Sequence, residues 1–200
     1  MVYFLCRRER FRTTKHVARA MRAFRRMSYD RFFALRRFPR AVYIFSDLDR
    51  LSYFELELAA ILYRQLREAG VPVLNDPATA RTRPALLRAL AREGLNDFCA
   101  YSPDLGEWPR RYPVFVRHAM FHRGPLTDLL HDRPSLEAAL GRLWESGLPA
   151  ANTLVVEYAA EKASDGIFRK FAVYRVGDRY FRDTTVSDTS WRVKRGQKGL

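Results

Sequence analysis

Between Ala41 and Leu74 two short apolar runs, AVYIF and VPVL, flank a single amphipathic helical stretch, and that order admits few folds. AVYIF is too short for a helix, and its β-branched and aromatic side chains suit a buried strand. Ser52 followed three positions later by Glu55 is a capping box, which predicts a helix through about residue 69. Leu51, Phe54, Leu58, Leu62 and Leu66 are its expected inward side, and Gly70 its stop. VPVL is a second strand, closed by the turn residues Asn75, Asp76 and Pro77. A strand, a helix and a strand in this order make a βαβ unit with a small parallel sheet. Asp47 and Asp49 form a DxD just before the helix and read as turn and capping residues rather than magnesium ligands.

Charge divides the chain unevenly. The net charge is +14, and residues 1–40 hold 13 Lys and Arg against Glu9 and Asp30. The remaining 160 residues hold 23 against 20 and are nearly neutral, so the basicity belongs to the N-terminal stretch. Within it Val17, Ala20, Met21, Phe24 and Met27 fall at helical spacing, with Lys15, Arg19, Arg22, Arg25 and Arg26 on the remaining surface. The expectation is a basic amphipathic arm over 1–38. Its apolar stripe suits packing on its own domain, and its cations suit an acidic surface, a membrane interface or nucleic acid.

No stretch approaches the roughly 18 apolar residues of a spanning helix. The apolar start at residues 1–6 is followed by arginines, whereas a secretory signal carries its cations first, so a cytoplasmic protein is expected. Cys6 and Cys99 are too few for a disulfide framework and lack metal or redox spacing, which leaves two reduced thiols acting as small hydrophobes.

Downstream, Pro84 and Gly94 bracket a helix over 83–93 and a loop follows over 96–111. PVFVRH is a strand, residues 134–146 a helix with Leu136, Leu140, Leu143 and Trp144 on one face, and LVVEYA a further strand. Residues 167–176 and 179–183 read as a hairpin turned by Gly177 and Asp178. In the first of those strands Phe168, Lys170, Ala172, Tyr174 and Val176 share a face by period two, leaving Lys170 as a lone ammonium that an anion would satisfy.

The order PVFVRH, loop, LVVEYA, FRKFAVYRV resembles the nucleotide site of the ATP-grasp superfamily, over roughly residue 39 to the end of the sequence. The resemblance implies an α/β fold, with a small βαβ N-terminal lobe followed by the central part of an ATP-grasp-like domain with an antiparallel hairpin. The expected divisions are 1–38 for the arm, 39–80 for the lobe and 81–200 for the nucleotide-binding part. By matching the family's motif, Arg117 and Arg83 stand where phosphate-contacting lysines stand, and arginine keeps the charge while adding a planar fork. The loop 118–125 stands where the family has a glycine-rich lid; here only Gly124 is glycine, with His122 and Arg123 as further donors. His118 and His122 do not read as a metal pair, because no third ligand accompanies them. Glu157, Tyr158 and Ala159 match the hinge whose main chain reads adenine, and Lys170 offers another cation. Glu161 and Asp165 read either as ribose ligands or as a solvated acidic loop. Ala172 stands where many members carry an arginine.

What the resemblance implies for activity is ATP-dependent joining of a carboxylate to an amine or thiol through an acyl-phosphate, with ATP and Mg2+ as cofactors. The alternative is a non-catalytic module of the same fold that binds nucleotide or a polyanionic partner, with polyanion contact through residues 7–40. The family's magnesium ligands come from a C-terminal part that follows a segment like WRVK, and none is assignable here. Turnover by residues 1–200 alone is therefore not expected.

Overall fold

In the computed structural model, which describes residues 1–121, 124–193 and 197–198, the run VYFLC forms strand β1 (Val2–Cys6) and is the organising element of the first unit. β2 (Phe24–Ser28) pairs with it in parallel on one side and β3 (Val42–Phe45) on the other, with β4 (Val73–Leu74) beyond β3. Three short helices connect the strands: α1 (Lys15–Ala20), α2 (Tyr29–Phe33) and the longer α3 (Tyr53–Glu68). The chain divides after Thr82, and these elements make up the unit Met1–Thr82.

The stretch 1–38 is therefore not an amphipathic arm. The helix over Val17 ends at Ala20, and Phe24 and Met27 belong to a strand instead. Both are buried, Phe24 against Phe4 at 5.5 Å, whereas Val17 and Met21 stay 42% and 50% exposed. Main-chain pairing with β1 outweighs the helical spacing of those side chains, since five aligned residue pairs along β1 and β2 require extended backbone.

The capping box forms as expected: the Glu55 amide donates to the Ser52 hydroxyl, and the Glu55 carboxylate accepts from the Ser52 amide at 2.8 Å. Arg7 adds a bidentate pair to the same carboxylate, 2.8 Å to each oxygen. Burial acts to raise the Glu55 carboxyl, but the Ser52 and Arg7 bonds together outweigh it and hold the group below its ordinary value. The buried side of α3 is Ala59, Tyr63 and Leu66, joined by Leu56 and Leu62, while Phe54 is 74% exposed. The helix turns about its axis to bring Tyr63 edge-on to Phe45 at 5.4 Å, which carries Phe54 outward. Asp47 serves the turn, as expected: it sits at φ 54° and accepts the Arg7 amide at 3.0 Å. Phe32, fully buried, collects Phe38, Tyr43 and Phe45 within 5.3–5.8 Å and closes the core.

The second unit, residues 83–200, is built on a three-stranded antiparallel sheet of β5 (Ala100–Tyr101), β7 (Thr153–Glu157) and β6 (Val114–His118), in that order. All five residues of β7 are buried, as a central strand covered on both faces requires. The helix α5 (Arg133–Glu145) puts Leu136 and Leu140 on the face of Val114, Val116 and Val155, and Asp132 caps its start by accepting the Ser135 amide at 2.8 Å. On the opposite face Leu87 of α4 (Arg83–Arg92) packs with Ala100, Leu154 and Val156.

The expected strand over 167–176 is divided. β8 (Phe168–Lys170) joins β11 (Val186–Asp188) and β12 (Gln197–Lys198), whereas β9 (Val173–Val176) pairs with β10 (Arg179–Arg182) in a separate two-stranded sheet among the described residues. Gly177, at φ 59°, and Asp178 make the tight turn between β9 and β10. Phe168 is buried while Tyr174 and Val176 are exposed, so the shared apolar face does not exist and Lys170 is simply exposed at the end of β8. No helix among the described residues is long and apolar enough to cross a membrane.

Candidate functional site

Antiparallel register decides what β6 presents. Phe115 pairs with Val156 and Arg117 with Leu154, so Phe115 and Arg117 stand on the α4 face and Val114 and Val116 on the α5 face. Arg117 is half-buried there, and its Nε makes no hydrogen bond among the described residues. Burial, and then the neighbouring Arg83 guanidinium, hold Arg117 below the ordinary arginine range. Even so shifted, an arginine remains a cation. Two residues 34 positions apart in the sequence, each expected at a phosphate, are thus brought together by the fold.

Arg83 is the first residue of α4, and its Nη1 donates to the carbonyls of His118, Ala119 and Phe121, each at 3.1 Å. It therefore pins the base of the loop expected to cover the phosphates. His122 and Arg123, the donors expected within that loop, lie outside the described residues. On its far side the loop is tied to β6, since Leu126 donates to the Val116 carbonyl at 2.7 Å and Thr127 accepts the Val116 amide at 3.0 Å. Arg192 holds Asp128 and the Thr127 carbonyl from the chain after β11.

The hinge is placed at the end of β7, with part of its hydrogen bonding already used. The Glu157 amide donates to the Cys99 carbonyl at 3.1 Å and the Tyr158 amide to the Pro113 carbonyl at 2.9 Å. That leaves the Ala159 amide, which makes no hydrogen bond among the described residues. Trp191 lies against Phe115 at 5.0 Å and edge-on to Tyr158 at 5.7 Å, forming an aromatic wall beside the hinge that the sequence reading did not find. No periodic signal marks it, because Trp191 follows a strand of a different sheet.

Glu157 takes a role beyond main-chain recognition. Only 5% exposed, its carboxylate accepts from the Cys99 amide at 3.0 Å, the Tyr101 hydroxyl at 2.8 Å and Arg111 Nε at 3.0 Å. Burial, and next this bond, push the Tyr101 hydroxyl up to about 12. Asp165 is engaged locally by Arg169 and by the Ile167 amide at 3.0 Å. Its Arg169 and Ile167 bonds lower its carboxyl to about 2. Lys170 makes no hydrogen bond or ion pair with the other site residues among the described ones. No three His, Cys, Asp or Glu side chains gather as a metal set among the described residues.

Arg83 and Arg117 make one cationic spot on the α4 face of the sheet. An anion at Arg117 would give its buried Nε an acceptor and offset the repulsion from Arg83. The amides of Glu157 and Tyr158 do not fit base recognition, being already donated.

No family model and no curated protein matches the chain. Among solved structures it is similar to a D-alanine–D-alanine ligase from Bacillus anthracis, at 12% identity and a TM-score of 0.45, over 94% of this chain and 70% of that one. A RimK domain ATP-grasp protein from Sphaerobacter thermophilus DSM 20745 is similar at 21% identity and a TM-score of 0.44, over 85% and 67%. An L-amino acid ligase from Bacillus licheniformis follows at 9% and 0.41, over 93% of this chain and half of that one. With every TM-score below 0.5, the residues themselves carry the functional reading.

Proposed function

We propose that the second unit binds ATP and belongs to an ATP-grasp-type ligase that joins a carboxylate to an amine or thiol. The carrying observation is the half-buried Arg117, with an unsatisfied Nε and a like-charged neighbour in Arg83. Two cations held close together raise the local potential and favour a multiply charged anion over a monovalent one. Arg83 fixes the loop base, Arg117 offers the phosphate contact, and Ala159 with the aromatic wall orients the base. Bound ATP would supply the phosphoryl group that activates the carboxylate. Magnesium ligands are left unassigned.

Thermal melts of the full chain with Mg-ATP test this. Binding to the native state alone raises stability by about 2.7 kcal/mol at a hundredfold excess over Kd. The expected result is a rise in Tm with Mg-ATP that Arg117→Met abolishes. No rise at millimolar nucleotide overturns the reading.

A second reading concerns the surface of residues 7–40. Of its 13 cations only Arg7 is in an ion pair among the described residues, and Arg19, Arg22, Arg25 and Arg31 are exposed. Polyanion contact there would weaken as salt rises, by about 0.9 log unit per log salt for each phosphate neutralised on duplex DNA. Salt-independent binding, or none, overturns it.

A further inference from the structure

We infer that the second unit holds a separate site for a small organic anion, at the β5 edge of its sheet. A cavity of about 580 Å3 lies there, within the size range of small-molecule sites; Glu157, whose amide is already donated to Cys99, lines it, but Arg117, Ala159 and Lys170 do not. An adjoining hollow of about 330 Å3 shares Arg88, Tyr101 and Arg110 with it.

Four arginines line this space, and they fall into two kinds. Arg111 is locked on Glu157 at 3.0 Å, and Arg88 is locked on the Ala100 carbonyl at 3.2 Å and on Ser102 and Glu107 at 2.6 Å each. Arg92 and Arg110 have no acidic partner among the described residues. Arg110 is nonetheless held in place by its main chain, because its amide donates to the Tyr101 hydroxyl at 3.3 Å. That same hydroxyl donates to Glu157, so the buried carboxylate organises both neighbouring arginines, one directly and one through Tyr101.

The charges decide the ligand class. Four arginines line the cavity against Asp97 and Glu157, and Glu157 is already satisfied by three donors. A cation would be repelled, whereas an anion would gain the two exposed arginines, Arg92 and Arg110, as partners. Carboxylate and phosphate both present the paired oxygens that a guanidinium fork accepts. Phe98 and Tyr101 add apolar lining from the two faces of the sheet, so an acidic group carried on an apolar body fits.

Calorimetry on the full chain at low salt tests this with phenyl phosphate and benzoate, and with phenol as the neutral comparator. Binding of at least one aryl anion, but not of phenol, is expected. Phenyl phosphate binding more tightly assigns the site to phosphates, and benzoate binding more tightly assigns it to carboxylates. Arg92→Ala with Arg110→Ala should weaken that binding by about tenfold or more, since each lost charged contact is of the order of a decade in affinity. Arg92→Lys with Arg110→Lys, which keeps both charges but loses the fork, should bind between the parent and the alanine double variant, and Arg117→Met should leave binding unchanged. Failure of both aryl anions to bind at millimolar concentration overturns the inference, as does equal binding of phenol. An unweakened alanine double variant with wild-type Tm does the same.

Discussion

The Tyr101 hydroxyl donates a 2.8 Å hydrogen bond to the Glu157 carboxylate, a buried contact between residues 56 apart that joins β5 to the end of the central strand β7. Removing the donor leaves a carboxylate that is 5% exposed with one bond fewer. Tyr101→Phe should therefore cost about 1–3 kcal/mol at neutral pH. The pH dependence has a definite sign. The folded hydroxyl is raised to about 12 from an ordinary 10, so its share of stability is complete below pH 10 and is lost as pH rises towards 12. Urea denaturation at several alkaline pH values should show a flatter decline for Tyr101→Phe than for the parent.

Arg117 should trade stability against binding. Its burial and the Arg83 charge both disfavour the cation in the free protein. Arg117→Met is expected to keep or raise the Tm without ligand while abolishing the Mg-ATP shift. A large loss of Tm without ligand would mean that Arg117 holds the fold rather than an anion.

The capping box should show in acid. Ser52→Ala is expected to destabilise the first unit by about 1 kcal/mol. The Glu55 carboxyl is held below its ordinary 4.5, so its contribution is present above that value and is lost as pH falls further. Acid titration of Glu55→Gln, followed by circular dichroism, should show a weaker dependence below about pH 4.5.

Deleting residues 1–38 should unfold the first unit. β1 is an interior strand of its four-stranded sheet, and β2 is removed with it. Rapid proteolysis of residues 39–82 is the expected observation, and resistance equal to that of the full chain would contradict the strand order.

What the sequence alone determined are the features written in neighbouring residues. The Ser52–Glu55 capping box, the βαβ order of 41–74, the strands PVFVRH and LVVEYA and the Gly177–Asp178 turn each depend on a few adjacent side chains and on local main-chain preference. Tertiary structure alone decided the rest. Phe24–Ser28 became a strand because β1 paired with it, and α3 turned Phe54 outward to seat Tyr63 on Phe45. The strand over 167–176 broke where Phe168–Lys170 found β11. The site itself was legible as residue types but not as a set. Arg83 meets Arg117, Trp191 meets Tyr158, and Tyr101 meets Glu157 only because sheet register and helix packing bring distant segments together, and no local spacing encodes such pairings.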